Sequence, residues 1–498
     1  MLYLLSHIDC VVANSSVQSG PFSVFPVYTP HLPPCIDNPI IRRNQPASSP
    51  SDERLSLIPA PSTSCQRPLA ARLFHHYVTC VSTLLQPVGH LTNYYNIVYT
   101  PQAMIGAGNL FGPTILEPPS STQSIFYSLL ATAAFHLRGI QAEQTLNSRE
   151  MDRIGRFCRM LAYQHLRRGL ESTEDLQTAM AAVLSMVTID VMEGNLLEYW
   201  HHLKGFQQLR LLQGATTSSK SIQTYLQTIF YFQSTLSQST DCSLPQIPWP
   251  VDTRGSLMHI QALTAIPDID NHLLQQTYSI TSTLVMFIRL ITCLSQHVSY
   301  FISEQLSLPK IFCDALATLE KNLHLYDIGC EKLINMTPIQ STLFRLHLLA
   351  FQQAIHIYYL TSLVLPLETQ ESHGTSCIEL RVQRYARQVG NYLLRIEFLK
   401  RESTTPCDGF QTAPIPWPGF IASCEADPSQ RQLWTEWWTG MLGYQIGNIH
   451  VLFEIVQDVW RSRDQLQGKE TDKREYGEGR LPIWKRVLSR GKKRILAL

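Results

Sequence analysis

Charge is what this sequence has least of. Charged residues make up 16% of its 498 residues, against about 25% in a typical soluble domain. Gln, Ser, Thr and His supply much of the polarity instead. A surface so thin in charge is expected to favour partners or self-association. Neither sign dominates: 40 Lys plus Arg stand against 39 Asp plus Glu, a formal net charge of +1. That balance lacks the basic footprint of a nucleic-acid-binding domain. The densest basic group, Lys485, Arg486, Arg490, Lys492, Lys493 and Arg494, is short and reads as a solvated terminal helix.

Paired cysteines are missing too. The 12 cysteines are dispersed and no two form a C-x-x-C pair, the close spacing by which a local zinc site shows itself. They read as free thiols of a reducing compartment, several acting as small core hydrophobes. The apolar start Met1 to Leu5 has no basic n-region and breaks at His7 and Asp9, so no signal peptide is expected. No uninterrupted apolar run reaches the ~18–20 residues of a spanning helix. The nearest, Ile280 to Leu294, is shorter and carries Arg289. The expectation is a protein internal to the cell with no membrane partner.

Catalytic signatures are equally sparse. Gly106-Ala107-Gly108-Asn109-Leu110-Phe111-Gly112 lies between Pro101 and Pro113 with no strand before it, so it reads as a loop rather than a phosphate cradle. The pairs His75-His76 and His201-His202 put neighbours about 100° apart on a helix, a poor arrangement for sharing one metal. His347 and His356 stand more than one turn apart. There is no G-x-S-x-G elbow and no sequence-local set of carboxylates suited to Mg²⁺; Asp268-Ile269-Asp270 reads as a turn. No catalytic, cofactor-binding or metal residue is assigned, and the protein is not expected to be an enzyme.

What the sequence does contain is helical periodicity. Residues 1–68, dense in Pro and Ser, carry no period and are expected to be mostly disordered. From residue 69 apolar residues recur at three and four. Helices are expected over about 69–85, 124–137, 147–169, 176–191 and 196–213, then 273–303, 309–325, 338–364, 376–400 and one long helix over 429–463. In the 147–169 helix Met151, Ile154, Phe157, Leu161 and Leu166 are expected inward and several arginines outward. Ser172-Thr173-Glu174-Asp175 resembles a capping box. Residues 100–121 and 233–275 read as breaks. Trp434 and Trp438 fall on a core-facing stripe; Trp437 reads as packing, or as facing a cavity or partner. The two Ile-Pro-Trp-Pro strings, at Ile247 and Ile415, read as loops anchored by a buried Trp. Strand alternation is nearly absent. The fold class is all-α, a large irregular array of antiparallel helices.

Several of these segments resemble the regulatory domain of fungal-specific transcription factors, in the arginine-catabolism-regulator-like branch. Leu73-Phe74-His75-His76-Tyr77 through Leu85-Gln86-Pro87 resembles the domain's opening. Leu130, Ala133, Ala134, His136 and Leu137 resemble its alanine-rich helix. Glu193 and Trp200-His201-His202-Leu203-Lys204-Gly205 resemble its next signature. Tyr358, the run Trp417-Pro418-Gly419-Phe420 to Ala426, then Arg431, Trp438, Trp460, Trp484 and Ile495-Leu496 resemble its later ones. The resemblance spans residues 69–498. It implies a nuclear regulator of transcription, often of a metabolic or secondary-metabolite gene set. It also implies partners of the same kind: homo- or hetero-oligomers, other transcription proteins, or a small-molecule effector. In that family an N-terminal six-cysteine cluster holds two zinc ions and reads DNA. Cys10, Cys35 and Cys65 lack its paired spacing and its basic residues, so no residue here inherits a zinc-ligand or base-reading role. A lost first exon, a DNA-binding partner and a departure from transcription are the three readings of that gap. A non-DNA-binding scaffold protein of the same fold is the alternative function, with an enzyme using a cavity inside the helices ranked below it.

Overall fold

The computed structural model describes residues 63–90, 93–108, 117–140, 146–172, 175–195, 198–213, 220–265, 269–332, 336–368, 374–403, 412–467, 482–491 and 494–498. Every regular element among them is helical. The disorder expected for residues 1–68 falls, up to residue 62, outside the described residues. The first helix, α1 (Thr63–His76), starts earlier than its periodicity predicts and takes in Pro68. It continues through a π turn, Tyr77–Val81, into the short α2 (Ser82–Leu84).

Two hubs organise the array. The first is α4 (Ser120–Ile140), packed by α1, by α3 (Tyr94–Gly106), by α5 (Leu146–Glu171) and by α6 (Leu176–Glu193). The second is α13 (Pro338–Tyr359), opened by a Thr337–Gln340 capping box. It is packed by α11 (Ser282–Ser303), α14 (Gly374–Ser403) and α15 (Trp417–Glu425). Between the hubs come α7 (Tyr199–Gln213) and α8 (Lys220–Thr240), the latter touching α6, α7 and α11. α9 (Thr253–Thr264) packs on α11 and on α12 (Lys310–Leu325), and α10 (Asn271–Tyr278) packs on α8. The chain ends with α16 (Arg431–Leu442), α17 (Gly447–Gln467) and α18 (Ile483–Arg490). One cluster of buried apolar side chains runs from Ala70 to Ala497.

Four expectations are corrected. The break expected over 233–275 holds the end of α8 and all of α9. The end of α8 is Ser- and Thr-rich, a composition that usually opposes helix, but the hydroxyls of Ser234, Thr235, Ser239 and Thr240 bond back to carbonyls three and four residues earlier. The loop expected from residue 100 begins only after α3, capped by the Asn93 side chain. Gly106 ends that helix where a Cβ would sit 2.0 Å from the Thr122 carbonyl oxygen, so its glycine serves close packing; Asn109 to Gly112 lie outside the described residues. The cap of α6 is Asp175 itself, accepting from the Gln177 and Thr178 amides. The long terminal helix is two: Gln445, at φ 58°, breaks it between α16 and α17.

The break has a packing reason. A Cβ on Gly447 would lie 2.6 Å from the Glu193 carbonyl, and one on Gly194 would lie 2.8 Å from the Gly447 oxygen. The first turn of α17 therefore abuts the last turn of α6 backbone to backbone. Gly194, at φ 84°, is the left-handed cap that turns the chain there.

Among the described residues, three helical stretches, Leu176–Glu193, Ser282–Ser303 and Pro338–Leu367, are long and apolar enough by composition to cross a membrane. The expectation that none reaches that length counted uninterrupted runs; a scattered Ser, Thr or Gln does not lower the average enough. Most of each stretch is buried against other helices, which accounts for the composition.

Candidate functional site

The inward face of α5 keeps Leu166 buried and Met151 and Ile154 packed on the core as expected, but not Phe157. Phe157 is exposed, while Gly155, Cys158, Arg159, Ala162, Leu166 and Gly169 are buried. Small side chains let α5 approach α4 closely, and one arginine turns inward with them.

Arg159 enters a cluster of acids. Its Nη2 donates to Asp190 Oδ1 at 2.7 Å. The same guanidinium donates to Glu193 and to Glu198. Tyr163, one turn further along α5, donates to Glu198 Oε2 at 3.0 Å. Its oxygen lies 2.9 Å from His202 Nε2. Tyr163 has one proton, and the Glu198 carboxylate can only accept, so His202 Nε2 carries the proton it shares with the phenol. The same Nε2 lies 3.3 Å from Asp190 Oδ2. Arg159, Asp190 and His202 are buried.

Three carboxylates thus face one guanidinium. Burial opposes charge on Arg159, but Asp190, Tyr163, Glu193 and Glu198 outweigh it and hold the guanidinium more firmly protonated than usual. Burial raises the Glu193 carboxyl, only partly offset by Arg159. Burial, then Asp190, pushes the Tyr163 phenol well up, so it stays protonated and serves as a donor. One guanidinium orients all three acids and offsets part of their charge.

The network sits close to the C-terminal segment. Arg138 donates to the Glu193 carbonyl at 3.2 Å and pairs with Asp152 at 2.8 Å. On the neighbouring turn of α7, Lys204 Nζ and the Arg494 guanidinium lie 4.5 and 4.2 Å from the Trp200 ring centre. Arg494 also donates to Ser243 Oγ at 2.6 Å. The terminal strand of chain is tied in by Thr240 Oγ1 donating to the Ile495 carbonyl at 2.7 Å and Asn448 Nδ2 to the Leu496 carbonyl at 2.6 Å. So the basic terminal group is not a wholly solvated helix. Lys485 reaches back to Ser362 Oγ at 3.3 Å, and burial lowers its ammonium to about 8.

Comparison with known proteins now bears on this geometry. The family described as fungal specific transcription factor domain matches residues 72–497. The chain belongs to that family. Arginine metabolism regulation protein II of Saccharomyces cerevisiae is similar, 20% identical over 489 residues. The match takes in 80% of this chain and 53% of that protein, so the chain spans about half the length of this curated relative. No solved structure matches.

The family segments can now be placed. Glu193 and His202 of the Trp200 signature belong to the buried network. Trp417, Trp434, Trp437, Trp438 and Trp484 are all fully buried. Trp437 packs edge-on to Trp434 and Trp438, with ring centres 5.9 and 4.8 Å away, and so faces the interior. Of the Ile-Pro-Trp-Pro strings, Trp249 anchors a loop while Trp417 begins α15. The described cysteines are free, with Cys158 and Cys424 in the core. His347 is fully buried, and His356 stacks on Tyr385 at 4.9 Å. Arg159, Asp190 and Glu198 were invisible as a site because they come from three separated segments. The one available signal was an arginine on a face of small residues.

Glu193→Gln tests the charge surplus. A carboxyl raised by folding stabilises most below its unfolded pKa and loses that contribution as pH rises through the folded value. The amide can still accept from Arg159. The variant is therefore expected to unfold within about 1 kcal/mol of the parent at pH 7, with a flatter stability profile from acid to neutral pH, read by urea melts.

Proposed function

We propose that this chain is the helical regulatory part of a transcriptional regulator acting in the nucleus on a metabolic or secondary-metabolite gene set. The observation that carries the reading is the family match over residues 72–497. The similar yeast protein is named as a regulator of arginine metabolism, which supports a metabolic gene set as the target. Lys485 and Arg494, drawn into the fold, leave the terminal basic group poorly suited to reading DNA. DNA contact is accordingly assigned to a partner or to sequence other than these helices, and the chain's own part is to bind other transcription proteins, another copy or a small-molecule effector. The reading is non-catalytic, in keeping with the family match.

Fusing the full chain to a heterologous DNA-binding domain tests this directly. Expression of a reporter bearing that domain's sites should change several-fold against the unfused domain, and deletion of the gene in its host should alter a restricted set of transcripts. A fusion that leaves the reporter unchanged, together with an unaltered transcript profile on deletion, overturns the proposal and favours a scaffold.

A further inference from the structure

Two of the histidines that the sequence places 60 residues apart meet across the α1–α4 contact. His76 Nε2 lies 2.9 Å from His136 Nδ1, and the rings stack with centres 5.2 Å apart and planes 21° from parallel. Cys80 stands one turn beyond His76. One ligand atom from each of His76, Cys80 and His136 lies within 4.8 Å of the other two. In a closed tetrahedral zinc site the corresponding separations are about 3.3–3.6 Å. A modest rotation of the Cys80 side chain would close that gap.

We propose that His76, Cys80 and His136 bind a zinc ion, with the fourth coordination position open to water or an exogenous ligand. Two features beyond proximity support this. The first is the backbone under it: Tyr77–Val81 is a π turn, a rare geometry that concentrates at functional sites. It buries Tyr77 and Val81 in the core while leaving His76 and Cys80 half-buried beside His136. The second is orientation of the ring. The Tyr444 backbone hydrogen-bonds the His136 imidazole, and with Nδ1 turned to His76 the nitrogen left to donate is Nε2. A carbonyl on the far nitrogen is the usual way a metal-bound histidine is aimed and its free lone pair fixed. The donor set, two nitrogens and one thiolate, suits zinc over calcium or magnesium, which take oxygen.

Three protein ligands with a half-exposed mouth suit an exchangeable ion more than a sealed structural one. Such an ion would join α1 to the α4 hub, and through Tyr444 to the connection between α16 and α17. It holds whether or not the chain regulates transcription.

The test uses the full chain, stripped with chelator and titrated with zinc against a chromophoric competitor, then with cobalt(II) as a spectroscopic stand-in. The expected result is about one equivalent bound, a thiolate-to-cobalt charge-transfer band, and a raised unfolding temperature with zinc. Cys80→Ser should keep the fold, lose the band and bind at least about 10-fold more weakly. His136→Gln should weaken zinc similarly, while His259→Gln, in a separate histidine pair, should not. Failure of the parent to bind, a missing thiolate band, or equal zinc affinity in parent and Cys80→Ser would leave only a hydrogen-bonded imidazole pair and overturn the assignment. If His136→Gln does not fold, the Cys80→Ser comparison and the cobalt spectrum still decide.

Discussion

Arg159→Met is expected to cost about 3–5 kcal/mol of stability at pH 7, the loss typical of breaking a buried ion pair on one side. The methionine fills much of the space of the arginine stem, so the loss is chiefly electrostatic. Asp190, Glu193 and Glu198 would be left facing one another. Burial already raises the Glu193 carboxyl, and losing the guanidinium removes the charge that offsets that rise. Groups raised by folding stabilise at low pH and lose that contribution as pH increases. The variant should therefore recover stability toward acid, the reverse of the usual acid loss. Adding Glu193→Gln and Glu198→Gln to Arg159→Met should restore part of the loss at pH 7. Urea melts at acid and neutral pH decide the point. A variant as stable as the parent at pH 7, with no gain in acid, would mean that the network has little energetic weight.

Trp417→Ala should be comparably severe, by about 3–5 kcal/mol, with loss of near-ultraviolet circular dichroism from the tryptophan cluster. Trp417 is fully buried at the start of α15. Its Nε1 donates to Ser239 Oγ at 2.9 Å, and the Tyr358 hydroxyl donates to the Ser239 carbonyl at 3.0 Å. Its ring stacks on Phe351 and meets Tyr358 edge-on, both with centres 5.9 Å away. One side chain thus joins α8, α13 and α15. Truncation leaves a cavity and frees the Ser239 contact together. Ser239→Ala, which removes only the hydroxyl, should cost about 1 kcal/mol. Similar small losses in both variants would show that the neighbouring helices collapse into the space.

The second half of the chain was largely legible because its helices carry strong local signals. The apolar run over 338–364 marked α13, and the structure opens it with a Thr337–Gln340 capping pair. The first half was legible in outline, with one departure in detail. Leu166, Met151 and Ile154 face inward on α5 as marked, yet Phe157 is exposed while small residues and Arg159 are buried beside them. Periodicity weights a residue by its hydrophobicity, whereas close helix packing selects for small size. The end of α8 failed for a related reason, since a local scale cannot see that its hydroxyls bond back along the same helix. The break at Gln445 failed because its cause lies more than 200 positions earlier, in the backbone of Glu193 and Gly194.

By itself the sequence determined that the chain is helical, which residues are apolar enough to be core, and that family segments recur in order along it. These follow from periods of a few residues and from local composition. Only the tertiary structure decided that Arg159 turns inward to three acids drawn from α6 and the turn before α7, that Lys485 and Arg494 serve the fold, and that His76 and Cys80 meet His136. Each of these depends on which helix faces which. Charge and metal-ligand chemistry act over a few ångströms in space, and sequence separation carries almost no information about that distance once the helices have packed.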